Sequence, residues 1–352
     1  MKKSLKKPST PSRKKDHVDI CLTEDVNYQD KTAGFELYEF VHNALPELNL
    51  KDIDTSVRFL KKDLYLPLMI TGMTGGYKGA AEINGNLALV CEDKKLALGL
   101  GSQRQALEDD SQLESYTIVR KNAPTIPIIG NIGVAQVIKG LNIKRLQKLL
   151  DDIEADALAI HLNALQEAVQ FEGDVNFQGA LDGISRLVKK LKIPIIAKET
   201  GAGISYSVAK RLHDVGIQYI DVSGSGGTSW SAVESFRKHA GESSEDRNRL
   251  AKKFHNWGIP TTECIQQVSR IKKMTVIASG GIKDGSDIAK SIALGADMAG
   301  MARPLLKILM ENGAHALGDE IDYIQKELKL AMFLTGSKNI KKLRKAEFTF
   351  KT

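Results

Sequence analysis

The sequence predicts an α/β chain folded as a TIM (β/α)8 barrel. Two observations carry that prediction: eight short apolar runs alternate with amphipathic stretches, and the runs end in glycine or polar residues. The runs are Leu66–Thr71, Ala97–Ser102, Ile126–Gly133, Ala157–Asn163, Pro194–Thr200, Tyr219–Gly224, Thr275–Gly281 and Asp297–Ala302, each short enough for a buried parallel strand. Between them, Ala80–Lys94, Ile143–Asp152, Phe177–Lys190, Val208–Val215 and Ser286–Leu294 place apolar residues at helical spacing. Eight such units on about 250 residues suit a closed barrel better than an open sheet. A polar lead-in precedes them, with helices expected around residues 34 to 45, and helices after Arg303 are expected to cover the flank. The connection from Trp230 to Met274 is long, and its charged part near 235–258 reads as a mobile, lid-like insertion. Residues 1–12 read as a basic flexible tail and 13–352 as one barrel domain, without internal repeats beyond the βα unit.

The net charge of +7 belongs to the start of the chain. Lys2, Lys3, Lys6, Lys7, Arg13, Lys14 and Lys15 precede the first acidic residue, Asp16, and equal the whole excess of 50 basic over 43 acidic residues. A neutral body with no zinc spacing and no basic face interleaved with aromatics argues against a nucleic-acid partner. Cys21, Cys91 and Cys264 are scattered and read as reduced structural thiols. No apolar run reaches the length of a membrane span and no secretory apolar core is seen at the N-terminus, so no membrane partner and a cytoplasmic location are expected.

The run ends carry the chemistry. Ser279-Gly280-Gly281-Ile282-Lys283 and Gly300-Met301-Ala302-Arg303 close the last two runs with small residues, which let a phosphate approach backbone N–H groups. A parallel barrel holds phosphate at this place, so a flavin or sugar-phosphate enzyme is the first expectation. In His161-Leu162-Asn163, strand alternation points His161 and Asn163 to one side, and Gln166-Glu167 add an amide and a carboxylate. Glu167 alone suits a helix cap; beside a diphosphate it suits Mg²⁺, which is commonly held by one carboxylate with phosphate oxygens and waters. Lys198 ends the apolar run Ile195-Ile196-Ala197, and a buried lysine must pair with an anion or lose its proton. Its alternatives are a structural pair with Glu199 and an anionic cofactor ring. The segment Gly224 to Trp230 is a glycine-rich cradle with hydroxyls and an indole, although a plain turn explains such runs equally well. Arg13, Lys14 and His17, within one short segment, could clamp an oligoanion.

Arg13-Lys14-Lys15-Asp16-His17, Met69 to Gly76, Gly101-Ser102-Gln103-Arg104, His161 to Glu167, Lys198-Glu199-Thr200-Gly201, Gly226 to Trp230 and the closing glycine loops resemble, as a set, the type 2 isopentenyl-diphosphate isomerases. The resemblance covers nearly all the chain beyond its first ten or so residues. It implies an FMN-binding barrel that interconverts isopentenyl and dimethylallyl diphosphate, with Mg²⁺, reduced FMN, and NADPH as reductant. Carried over by position, it implies that Thr71, Met73, Thr74, Ser102, Asn131, Lys198, Thr228, Gly280, Gly281 and Ala302 contact FMN. Arg13, Lys14, His17, Arg104, His161, Asn163 and Gln166 are then expected around the substrate, with Glu167 on the metal. The reduced flavin N5 serves as acid and base on this reading; Lys198 stabilises the anionic ring, and Gln166 and His161 complete the catalytic set. The clamp of Arg13, Lys14 and His17 is expected to fold over the mouth with substrate, Trp230 to shape the isoprenyl pocket, and the assembly to be a homo-oligomer, tetramer or octamer. One departure is Lys283, where the family often has arginine after Gly-Gly-Ile; lysine keeps the charge but loses the two-pronged fork. The nearest rival, an FMN-dependent 2-hydroxy-acid oxidase, resembles its relatives in a His-Gly pair, and none of the seven histidines here precedes glycine. A dehydrogenase of the IMP type needs a loop cysteine at the mouth, whereas Cys264 falls at an expected helix start.

Overall fold

The computed structural model describes residues 10–237 and 242–351; residues 1–9 of the expected tail and 238–241 of the expected insertion lie outside the described residues. In chain order the strands are β1 (Tyr38–Phe40), β2 (Val57–Phe59), β3 (Lys62–Leu64), β4 (Leu68–Ile70), β5 (Ala97–Gly99), β6 (Ile128–Gly133), β7 (Ala157–Leu162), β8 (Ile195–Glu199), β9 (Tyr219–Asp221), β10 (Thr275–Ser279), β11 (Met298–Met301) and β12 (Phe348–Phe350). Strands β4 to β11 are the eight expected runs, and they close into a parallel barrel in which β11 returns to pair with β4.

The helices are α1 (Thr10–Thr23), α2 (Ala80–Asp93), α3 (Arg104–Glu108), α4 (Glu114–Asn122), α5 (Val134–Ile138), α6 (Ile143–Asp152), α7 (Ala164–Val169), α8 (Ala180–Lys190), α9 (Tyr206–Asp214), α10 (Trp230–Phe236), α11 (Glu242–Lys253), α12 (Thr261–Val268), α13 (Gly285–Ala293), α14 (Arg303–Leu334) and α15 (Ile340–Leu343). Among the described residues, no helix is long and apolar enough to cross a membrane.

Alternation along each strand sorts the core into two layers. Leu68 and Ile70 of β4, Ile195 and Ala197 of β8, and Val276 and Ala278 of β10 face the helices. Met69, Ile196 and Ile277 from the same strands point into the barrel, where Ala97, Ile129 and Met298 join them. The antiparallel β2–β3 hairpin adds Phe59 and Leu64 to this inner cluster and closes the N-terminal end of the barrel. The site is therefore confined to the C-terminal rim.

Three regions differ from expectation. The lead-in forms a single turn at Phe35–Leu37 and then β1, which pairs antiparallel with β12; Tyr38 meets Phe348 and Phe350 edge-on at 5.5 and 5.2 Å. A strand whose partner lies some 300 residues away leaves no local periodicity to read. Helix α1 starts at Thr10, inside the expected tail. The charged insertion contains α11, a docked helix: Arg247 donates to the carbonyls of Gln170 and Phe171 at 2.7 Å, and Ser231 donates to that of Ala251 at 2.7 Å.

Candidate active site

A cavity of about 460 Å³ opens at the rim, lined by the ends of the barrel strands and by α1. Every residue expected at cofactor, substrate or metal lines it except Thr74. Thr74 is buried behind the loop, its hydroxyl donating to Asn84 and its carbonyl accepting from Gly101 N–H at 2.8 Å. It braces the β4 and β5 loops against each other.

The floor of the cavity is a layer set by strand register. His161 of β7 pairs with Lys198 of β8, which pairs with Asp221 of β9, and all three occupy inward positions. Lys198 Nζ lies 2.9 Å from Asp221 Oδ2, and Asp221 Oδ1 accepts from Ser279. The alternative pair between Lys198 and Glu199 does not form, because adjacent strand residues face opposite sides. Glu199 instead turns outward and accepts backbone N–H groups of Thr200, Gly201 and Ala202, which fixes the following loop. His161 Nδ1 sits 2.8 Å from Asn131 Oδ1, while Asn131 Nδ2 donates to Leu100 O at 3.0 Å. Asn131 Oδ1 is thus an acceptor, His161 carries its proton on Nδ1, and Nε2 is left as a bare acceptor. Burial, then the charge on Lys198, hold the imidazole neutral by lowering its pKa to about 3. His161 therefore offers an oriented acceptor and no positive charge.

One end of the cavity is an anion cradle. Gly280 and Gly281 have φ of +99° and +74°, and a Cβ on Gly281 would stand 2.7 Å from the backbone of Gly226. Only glycine lets the β9 and β10 loops meet there. Beside them, Ala302 stands at the N-cap of α14 without a side-chain hydrogen bond, so the first-turn N–H groups other than at Pro304 are left for an anion. Lys283 lines the same end.

The other end is a cationic clamp carried by α1. Arg13 and His17 lie one helical turn apart on one face, and Lys14 lies a third of a turn away. His17 Nε2 is 2.9 Å from Glu234 Oε1, and Arg13 is 3.6 Å from Glu172. Burial and the neighbouring Arg104 press against the Arg13 charge, which Glu172 and Glu234 offset. Lys14 instead donates to the carbonyls of Gly75 and Ser102 and to the Tyr116 hydroxyl, so it pins α1 to the rim. The clamp is already seated over the mouth rather than hanging free of it. Between the two ends, Asn163 Nδ2 donates to Gln166 Oε1 and Glu167 Oε1, at 3.1 and 3.0 Å, and Gln166 Nε2 donates to Glu234 at 2.9 Å. Asn163 Oδ1 is buried without a hydrogen-bond partner and lines the cavity. Trp230 contributes an apolar wall and meets His17 edge-on at 5.3 Å.

The donor set suits the two groups that the sequence implies. The glycine cradle and the α14 N-terminus fit a phosphate, and Lys198 supplies positive charge at the floor. Glu167 offers one carboxylate; among the described residues, no three His, Cys, Asp or Glu side chains form a ready-made metal cage. A single carboxylate can hold Mg²⁺ where phosphate and water oxygens supply the other ligands. Sequence reading missed Asp221, Glu234, Glu172 and Arg237. Asp221 carried a usable signal, an acid inside the apolar Tyr219-Ile220-Asp221-Val222, which is the argument that found Lys198.

Comparison with known proteins agrees with this geometry. The family model for FMN-dependent dehydrogenase matches residues 137–349. Relatives named isopentenyl-diphosphate delta-isomerase include those of Chlorobium luteolum, 48% identical over 96% of this chain and 95% of its own length, and Nostoc sp., 46% identical over 95% and 94%. That of Rickettsia bellii is 45% identical over 95% of this chain and 96% of its own length. Among solved structures, a mandelate oxidase variant with benzaldehyde superposes with a TM-score of 0.66 at 15% identity, covering 97% of this chain and 95% of the other. A lactate oxidase from Pediococcus acidilactici gives 0.66 at 14%, covering 99% and 96%. These distant structures share the barrel fold; the close relatives decide the family. With 45–48% identity along almost its whole length, the chain belongs to the FMN-dependent, type 2 family of isopentenyl-diphosphate delta-isomerases.

Proposed function

We propose that this protein interconverts isopentenyl diphosphate and dimethylallyl diphosphate, with reduced FMN and Mg²⁺, in the cytoplasm. The carrying observation is a single cavity with an anion cradle at one end and the Arg13–His17–Arg104 clamp at the other. Two separate anionic groups, a cofactor phosphate and a substrate diphosphate, then fix two organic parts against each other between the ends. When bound, reduced FMN supplies the acid–base couple for the allylic proton exchange. Gly280, Gly281 and the first turn of α14 would hold its phosphate, and Lys198, ion-paired with Asp221, opposes negative charge at the floor. His161 accepts through Nε2, oriented by Asn131. Gln166 is held at both ends of its amide by Asn163 and Glu234, which aims it at the substrate without freedom to turn. Arg13, His17 and Arg104 would take the diphosphate, and Glu167 would hold Mg²⁺, which would offset the diphosphate charge. Trp230 and Met73 exclude water from the isoprenyl tail. NADPH primes the flavin without being consumed per turnover, and the working form is a homo-oligomer, tetramer or octamer, of one-domain chains.

The test is an anaerobic assay with FMN, Mg²⁺ and isopentenyl diphosphate, with and without dithionite, following dimethylallyl diphosphate. Product only after reduction is expected; no product from bound, reducible FMN overturns the substrate assignment. In the same assay Glu167→Gln should raise KM about tenfold at limiting Mg²⁺ and leave the flavin spectrum unchanged. An unchanged KM removes Glu167 from the metal site.

A further inference from the structure

A buried ion chain ties the clamp to a residue that never reaches the cavity. Arg237, at the C-terminal end of α10, is 3% exposed and is absent from the lining. Its Nη1 donates to Glu234 Oε2 and its Nη2 donates to Glu172 Oε1, both at 2.9 Å. These two carboxylates are the ones that receive the clamp, Glu234 from His17 at 2.9 Å and Glu172 from Arg13 at 3.6 Å. Gln170, with its amide turned to satisfy both neighbours, donates to Glu234 at 3.1 Å and accepts from Arg13 at 3.2 Å.

An oligoanion in the mouth draws Arg13 and His17 toward itself. Each carboxylate they leave is buried, and a buried charge stripped of its partner costs far more than a paired one. Arg237 removes that penalty, because Glu172 and Glu234 keep a 2.9 Å counter-charge wherever the clamp residues point. The distances are graded accordingly: Glu172 is held closely by Arg237 and loosely by Arg13.

We propose that Arg237 is a positioning residue for the diphosphate clamp, a standing counter-ion that frees Arg13 and His17 to exchange a carboxylate for a phosphate. The proposal rests on the isoprenyl-diphosphate reading of the cavity. Without Arg237, Arg13 becomes the one ion-pair partner of Glu172 among the described residues and competes poorly for the ligand.

The experiment uses the FMN-loaded full chain with Mg²⁺, measuring isopentenyl diphosphate binding by calorimetry beside steady-state kinetics. Arg237→Met should raise Kd and KM about tenfold, keep kcat within about twofold, and leave the FMN spectrum unchanged. Of the two carboxylates that lose Arg237, Glu172 is the one left to compete for Arg13, so adding Glu172→Gln to Arg237→Met should recover most of the affinity. Arg237→Lys, which keeps charge without the fork, should fall between. Should Arg237→Met fail to fold, Arg237→Lys and the charge-balanced double variant carry the comparison. A double variant no better than Arg237→Met, or than Arg237→Lys in that case, overturns the counter-ion role while wild-type turnover leaves the isomerase reading standing. Wild-type protein that neither binds nor converts isopentenyl diphosphate brings down both.

Discussion

Charge is gathered at both ends of this barrel, and the two ends handle it differently. At the N-terminal end, Asp156 accepts from Arg120 at 2.8 Å, from Lys62 at 2.9 Å and from Ile128 N–H at 2.8 Å. The cations there are met mostly by the chain itself: Arg120 also donates through Nη1 and Nη2 to the carbonyls of Ala123, Ile126 and Glu154, with its Nε alone left without a partner, and Lys62 donates to that of Ile126. At the C-terminal mouth, Arg13 has a carboxylate only at 3.6 Å, Asn163 Oδ1 has no hydrogen-bond partner, and the first turn of α14 has no side-chain cap. Charge that the protein satisfies from its own backbone serves stability. Polar groups left short of partners mark where a ligand completes the structure.

The largest effect expected from breaking this division is at Lys198. Lys198→Met should lower kcat about 10²- to 10³-fold, the range for removing one preorganised electrostatic group. It also strands Asp221, which is 1% exposed, so the single variant should lose stability as well. Adding Asp221→Asn should restore the melting temperature without restoring turnover. If turnover returns with stability, Lys198 acts only by holding the fold.

A smaller effect is expected at the other end. Asp156→Ala should cost about 3 kcal/mol, because Arg120 and Lys62 lose their shared carboxylate and Ile128 N–H its acceptor. Measured per folded molecule, kcat/KM should not change. A matching loss of turnover in denaturation-corrected assays would mean that the two ends are not separable.

The barrel was legible because its strands are local events: each is a short apolar run with a small-residue stop, and register follows from alternation. Lys198 was legible for the same reason, as a charge out of place in Ile195-Ile196-Ala197. Its partner was not, because choosing between Glu199 and Asp221 requires knowing that neighbouring parallel strands align those positions. Thr74 was assigned to the cavity by motif, yet the loop turns its hydroxyl to Asn84, ten residues on. Helix α1 was hidden by composition, since its mean hydropathy is that of a solvated segment: among the described residues it buries only Val18 and Cys21, and Arg13, Lys14 and His17 stand half-buried at the mouth. The ion chain through Arg237 and Glu172 joins α10 to the segment after α7, a contact across 65 residues that no spacing rule reports.

Lys14 gives the smallest predicted effect and the finest test of the comparison, because it stands between the two behaviours. Its three acceptors, Gly75 O, Ser102 O and the Tyr116 oxygen, match the three N–H donors of an ammonium group. Burial, and then the charge on Arg13, nevertheless lower its pKa to about 7. Between that value and the ordinary 10.5 the folded chain has released a proton that the unfolded chain still binds. The unfolded state binds more protons in that window, so this group's contribution to stability rises with pH there. The clamp, in contrast, loses a charge over the same rise. Stability and substrate affinity should therefore move in opposite directions above pH 7, with KM rising about threefold by pH 8 while the unfolding midpoint climbs. The diphosphate titrates too, but equally for every variant, so the informative quantity is the difference between wild type and Lys14→Met, whose profile should be flatter on both readouts. Parallel profiles would place Lys14 with the self-satisfied charges of the barrel's N-terminal end, as a pin for α1 that no ligand needs.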